Sequence, residues 1–195
     1  MKIETKLITR LRKQTGAGMA DCKEALIETN GDMEKAVEVL RKKGSKIASK
    51  RAGKEAAEGV IVAYIHANNK VGALIELNCE TDFVARNEEF KKLAYDLAMQ
   101  VAAQNPLYVS PEDIPEDVLN KEKKIIKESL MSESKKIEML DKIVEGKLNK
   151  WYEEVCLLQQ PFIKDESTII EELINEKIAS LGEKIVISGF CRKQI

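Results

Sequence analysis

The spacing of apolar side chains changes at Gly59. Before it they recur every three to four residues; after it Val60 to His66 and Val71 to Asn78 are β-rich runs of strand type. One element cannot satisfy both periods, so the change marks a helical amino-terminal unit followed by a unit that contains a sheet. In the first unit Ile3, Leu7, Ile8 and Leu11 form a helical stripe that stops at Gly16. Met19, Cys22, Leu26 and Ile27 form a second stripe that stops at Asn30-Gly31. Asp32 is placed to cap a third helix, with Met33, Ala36, Val37 and Leu40 inward, Arg41 to Lys43 at the negative end of the dipole, and Gly44 as its end. Residues 1–44 thus read as a three-helix bundle, small for independent stability. Residues 45–59, rich in Lys, Ala, Gly and Glu, read as an exposed, partly helical linker.

Residues 60–195 read as an α+β core. Asn68-Asn69, within Ala67 to Lys70, suit the positive φ of a tight hairpin turn between the two strand-like runs. Phe90, Leu93, Ala94, Leu97, Ala98 and Val101 predict an amphipathic helix from the N-cap Asn87 to Gln104, closed by Pro106. Ser110-Pro111-Glu112-Asp113 is a helix-start signal, and Pro115 restarts the backbone before a long helix to Met131. A further helix from Glu133, with Ile137, Leu140, Ile143, Val144, Leu148 and Trp151 on one face, completes a helical hairpin over residues 117–150 with Ser132 to Ser134 at its tip. Ser167 is placed to cap a helix ending at Gly182, and Lys184 to Arg192 alternates as the strand that closes a three-stranded antiparallel sheet.

Charge narrows the function. Lys and Arg number 32 against 33 Asp and Glu, but residues 1–59 carry 14 basic and 9 acidic side chains, and the remainder carries the acidic excess. The basic run Lys46, Lys50, Arg51 and Lys54 has no aromatic side chain interleaved to stack on bases, so it reads as a solvated face and no direct nucleic-acid contact is expected. The longest apolar stretch, Val60 to Ile65, is far short of the ~20 residues that span a bilayer, and the first twelve residues alternate charge with aliphatics. The expectation is a cytoplasmic protein with no membrane contact. Four cysteines without a CxxC, and a single histidine, predict idle thiols, no metal site and no cofactor. Cys22 or Cys79 with His66 is the one nucleophile-and-base pair on offer, and a solvated or hairpin-packed His66 is the expected state. Neither GxGxxG nor GxxxxGK occurs, so no phosphate cradle of a nucleotide binder is expected.

The functional segment is expected at Thr81 to Arg86, between strand and helix. If Asn87 caps the helix, Asp82 and Phe83 fall in a surface connection and Phe83 is exposed. Alternatively, Phe83 folds back as a hydrophobic staple and Asp82 caps a helix that starts earlier. The pattern leaves both open.

Leu11-Arg12, Thr15-Gly16-Ala17-Gly18-Met19, Asp21-Cys22-Lys23 and Ala25-Leu26 together resemble the amino-terminal signature of the elongation factor Ts family. Asn78-Cys79 followed by Thr81-Asp82-Phe83-Val84-Ala85-Arg86 resembles its core motif, and Val144-Glu145-Gly146 with Gln160-Pro161-Phe162 resembles later segments. The resemblance covers nearly the whole chain. It implies a guanine-nucleotide exchange factor for elongation factor Tu, in its GDP-bound and nucleotide-free forms. The bundle would be similar to ubiquitin-associated domains and would dock through Arg12, Gly16, Gly18 and Met19. Thr81, Asp82, Phe83 and Val84 would intrude near the partner's switch region and dislodge its magnesium ion. The alternative is a non-catalytic adaptor that binds another partner through the bundle. Longer members carry two similar core subdomains where this chain has one, so a homodimer is the expected source of a second copy.

Overall fold

A computed structural model describes residues 3–132 and 140–195. Helices α1 (Thr5–Thr15), α2 (Met19–Glu28) and α3 (Met33–Arg51) form the amino-terminal bundle. Ile8, Leu11, Cys22, Ala25, Leu26, Ala36 and Leu40 make its buried core, with Ile3, Leu7, Met33 and Val37 partly buried around it. Met19 and Ile27 of the expected second stripe are exposed, and Ala25 takes an inward place instead. Gly16 ends α1 in the left-handed region at φ 68°, where a side chain would be strained, and its N–H donates to Arg12 O at 2.8 Å. Asp32 caps α3 by accepting the N–H of Lys35 at 3.1 Å.

The third helix does not end at Gly44 but runs on into the segment 45–59 expected as a partly helical linker. Helix α3 continues to Arg51, so residues 45–51 are helical, and strand β1 (Glu58–Ile65) already begins before Val60. Gly44 is buried against a later helix, α8 (Ile170–Leu181), where an added Cβ would stand 3.3 Å from the backbone oxygen of Asn175. The glycine lets two helices approach closely and does not terminate one. Beside this contact Arg41 donates to Thr168 Oγ1 at 2.8 Å and pairs with Glu172 at 3.3 Å and Glu176 at 3.7 Å.

Strands β1, β2 (Val71–Cys79) and β5 (Ile185–Gln194) form one antiparallel sheet in the order β1-β2-β5. Asn69 takes the positive φ of 55° in the hairpin turn. Ala73, Ile75, Leu77 and Cys79 on the central strand face inward against Phe90, Leu93, Ala94, Leu97, Ala98 and Val101 of α5 (Glu88–Gln104). Asn87 caps α5 by accepting from Glu89 N at 2.8 Å, and Asn105 ends it in the left-handed region.

Of two turn signals, the first acts as the sequence predicts and the second does not. Ser110 to Asp113 gives one 3-10 turn, with Asp113 Oδ2 accepting from the N–H and the hydroxyl of Ser110, and the long helix α6 (Glu116–Ser132) starts only after Pro115. Ser167 does not cap α8. It lies in β4 (Asp165–Ile169), which pairs with the short β3 (Pro161–Phe162), and its hydroxyl donates to Asp165 at 2.6 Å. Buried Gln100 of α5 pins this extra hairpin, donating to Gln160 Oε1 and Pro161 O and accepting from Ile163 N. Helix α8 ends at Gly182 as the sequence predicts.

Helix α6 packs on α7 (Leu140–Val155) through Ile126, Leu130, Val144 and Leu148, with Trp151 and Tyr152 partly buried at one end. The expected start of the second helix at Glu133, its stripe residue Ile137 and the hairpin tip beyond Ser132 lie outside the described residues.

Candidate functional site

Central strand β2 runs through Glu80 and Thr81 into a single helical turn, α4 (Asp82–Ala85). The segment expected as a connection is therefore a one-turn helix, closed by Ala85 N to Thr81 O at 3.2 Å and Arg86 N to Asp82 O at 3.0 Å. One turn spreads four side chains around an axis, so some face the core and others face out. Val84 and Ala85 are buried; Phe83 points outward and is 81% exposed. The staple alternative fails, because a stapled ring would be covered. Burying a phenylalanine side chain gains about 1.5–3 kcal/mol, and this chain by itself leaves that gain unrealised.

The other residues of the turn have partners within the chain. Asp82 forms an exposed ion pair with Arg86 at 3.0 Å, of the kind worth little to stability. Thr81 donates its hydroxyl to Glu183 Oε1 at 2.6 Å, and the N–H groups of Glu80 and Thr81 donate to Glu183 Oε2 at 3.2 and 3.0 Å. Glu80 in turn accepts from Lys184 N at 2.7 Å and from Arg51. The Lys184 N–H, then Arg51, hold the Glu80 carboxyl below the usual glutamate range. Only Phe83 is an apolar side chain offered outward by this segment.

Arg12, Gly16, Gly18 and Met19 gather at the turn between α1 and α2, and all four are exposed, Met19 at 41%. Thr15 Oγ1 accepts from Ala17 N at 3.3 Å and donates to Leu11 O, which holds the turn in shape. Arg12 and Gly16 also line a cleft of about 630 Å³ between α1, α5 and α8, together with Glu89, Asp96 and Glu176. Burial pushes the Glu176 carboxyl up, against the pull of Arg41. Residues 81–84 do not line this cleft, so the two predicted sets occupy separate places.

The nucleophile-and-base pairing is not assembled. Cys79 pairs with Glu58 at one end of the β1–β2 hairpin, whereas His66 follows Ile65 at the other, on the order of 20 Å along the strands. Burial raises the Cys22 and Cys79 thiols and pushes Cys156 up to about 11, which keeps all three protonated at neutral pH. His66 is exposed, with Nδ1 at 3.0 Å from the Tyr64 hydroxyl. Among the described residues no group of three or more His, Cys, Asp or Glu is placed to hold a metal ion, and no helix is long and apolar enough to cross a membrane.

Two features escaped the sequence reading. Glu183 and Glu80 brace the base of α4; their signal was a charged pair, Glu183-Lys184, wedged between a helix stop and a strand start. The outer face of the sheet carries Ile61, 71% exposed, with exposed Ala63, Ile65, Leu74 and Cys191. Its signal was apolar residues at both parities of β1 and β2, which a strand solvated on one face does not need.

An α+β frame that supports an exposed aromatic tip is suited to docking on another protein, and comparison with known proteins gives that description a class. Residues 2–194 match the family model described as Elongation factor TS. The chain is 57% identical over 188 residues to elongation factor Ts of Moorella thermoacetica, covering 96% of this chain and 93% of that relative. It is 53% identical to the Syntrophus aciditrophicus protein of that name and 54% identical to that of Thermotoga maritima, in both cases over 195 residues, 100% of this chain and 97% of the relative. By class this is a translation elongation factor. More closely, the chain belongs to the elongation factor Ts family.

Proposed function

We propose that the chain is a guanine-nucleotide exchange factor that binds elongation factor Tu·GDP and promotes GDP release by displacing the partner's Mg²⁺, acting in the cytoplasm and without chemistry of its own. The observation that carries the reading is Phe83, 81% exposed on a one-turn helix whose base is braced. A bound nucleoside diphosphate is held by backbone amides around its phosphates and by a magnesium ion that offsets phosphate charge. A ring pressed between the elements that ligate the ion disturbs its shell and weakens nucleotide binding. Asp82 brings a carboxylate to the same place, while Thr81 and Val84 set the turn's posture from within.

Exchange requires only that the factor bind the nucleotide-free partner better than the loaded one; by reciprocity, nucleotide then expels the factor. Accelerating release 10,000-fold lowers the barrier by about 5.5 kcal/mol. One ring does not supply that alone. The exposed Arg12, Gly16, Gly18 and Met19 form the second grip, and the wider contact gives the binding energy from which the tip draws. The test is release of fluorescent GDP from elongation factor Tu with catalytic amounts of this chain. Faster release supports exchange; binding through residues 1–44 without faster release supports the adaptor instead.

The apolar outer sheet face favours a homodimer as part of the same reading. Ile61, Ile65, Leu74 and Cys191 lie on one face of a twisted antiparallel sheet, and two such faces can pack about 10 Å apart around a two-fold axis. The same face on a second copy is complementary by symmetry, and the pairing supplies the second core that the short chain lacks. Sedimentation at micromolar concentration tests it, with a monomer mass as the adverse result.

A further inference from the structure

Glu183 stands 102 residues after Thr81, yet its carboxylate takes three hydrogen bonds from the base of α4. Oε2 accepts the N–H groups of Glu80 at 3.2 Å and Thr81 at 3.0 Å, and Oε1 accepts the Thr81 hydroxyl at 2.6 Å. The arrangement is reciprocal: Glu80 Oε1 accepts the N–H of Lys184 at 2.7 Å, so each acidic side chain holds the backbone beside the other. Arg51 donates to both Glu80 oxygens, and Lys184 Nζ reaches Ala52 O and Lys54 O, which ties the end of α3 into the same knot.

The location of these bonds decides what they do. Pairing of β2 with β5 extends to Cys79 opposite Ile185 and stops there. Beyond it the chain turns from extended backbone at Thr81, φ −132° and ψ 156°, into a helix of four residues. A single turn fixes many dihedrals for very few hydrogen bonds and cannot hold its own direction. Its direction is set by the burial of Val84 and Ala85 within the turn and by what fixes the residues before it. There Glu183 takes three hydrogen bonds from Glu80 and Thr81, and the Cys79 thiol bonds Thr81 O.

We infer that Glu183 is a positioning residue for nucleotide release: it fixes the direction in which α4 leaves the sheet, and so where Phe83 meets the partner GTPase, without touching that partner. This rests on the reading of Phe83 as the exchange tip. A misplacement of about 1 Å is enough to cost a large part of a rate that depends on alignment. The sheet and the helices packed on it keep their own contacts without Glu183, so what loosens is the tip.

The experiment measures GDP release from elongation factor Tu over a range of factor concentrations for the wild type, Glu183→Ala, Glu183→Gln and Phe83→Ala. Glu183→Ala is expected to lower the maximal release rate about tenfold. Its half-saturating concentration should stay within about threefold of wild type, because the remaining interface is intact. Glu183→Gln is expected to restore most of the rate. Its amide oxygen accepts the two N–H groups and its NH₂ donates to the Thr81 hydroxyl oxygen. Amide hydrogen exchange at residues 82–86 should quicken in Glu183→Ala and return to wild type in Glu183→Gln. A maximal rate within about twofold of wild type for Glu183→Ala, a loss confined to half-saturation, or no rescue by glutamine overturns the role. Where Glu183→Ala fails to fold, Glu183→Asp makes the same comparison. One methylene shorter, it cannot span both the hydroxyl and the amides; a slowed maximal rate supports the role and a wild-type rate overturns it. Phe83→Ala separates the two layers: if it releases GDP as fast as wild type the tip itself is wrong, and if it is slow while Glu183→Ala is fast only the positioning role falls.

Discussion

Arg51, in the last turn of α3, donates from one guanidinium nitrogen to both carboxylate oxygens of Glu80, at 2.9 and 3.0 Å. One residue begins the chain's exit from the bundle and the other precedes the exposed tip. Helix α3 therefore connects the two regions proposed for partner binding: its first half packs on α1 and α2, its middle on α8, and its end on the base of α4. The placement of the bundle and of Phe83 is fixed through one rod.

Replacing Phe83 by alanine is expected to slow GDP release by about 30-fold, the loss of one interface anchor. The melting temperature should not fall, because the ring is covered by almost nothing in the free chain. Stopped-flow release and a thermal melt on the same preparation check both halves.

Gly44→Val should destabilise the chain by about 1–3 kcal/mol, since the added atoms meet the backbone of Asn175 and force α3 from α8. The readout is the denaturation midpoint in urea. An unchanged midpoint would mean that the two helices are not tightly apposed at this point.

The Glu80 carboxyl is held below its ordinary value of 4.5 in the folded chain. A group with a lowered folded value contributes stability above its unfolded value and loses it as pH falls through the folded one. Glu80→Gln should therefore be less stable than wild type at pH 7, with the difference shrinking below about pH 4.5 and vanishing once both forms are protonated. Urea midpoints between pH 7 and pH 2.5 test the sign.

Of the four thiols, Cys22, Cys79 and Cys156 are buried and Cys191 is exposed. A disulfide reagent should label Cys191 at once in native protein and the other three only on unfolding. Dilution provides a second reading: if two sheet faces pack together, labelling of Cys191 will be slow at high protein concentration and fast at low.

Ile61→Lys places a charge on the outer sheet face, on the edge strand β1, where the side chain is already solvated in the single chain. Folding should be unaffected, while any dimer should dissociate to a monomer mass by sedimentation. A dimer that persists in this variant would move the contact to another surface.

The helices and the main sheet were legible because their signals are local. Asn87 as cap, Gly16 and Gly182 as stops, and Asn69 in the turn each act within a few residues and need no tertiary partner. Gly44 and Ser167 misled for the opposite reason. One is a glycine selected by a helix 130 residues away, the other a serine that bonds Asp165 in a strand pinned by Gln100. The exposed Phe83 lay within reach of pattern reasoning, which could place the ring at the surface or against its own helix. The brace from Glu183 lay beyond it, because nothing in the spacing of residues 80–86 points to an acid behind a later helix.

The middle strand of the sheet leads directly into the tip, and Cys79, four residues before Phe83, is paired with Glu58 on one side and Ile185 on the other. Any push that reaches the base of α4 along β2 must shear two ladders of hydrogen bonds. The base of the tip is held from both sides. When it meets a softer surface, the deformation falls on that surface.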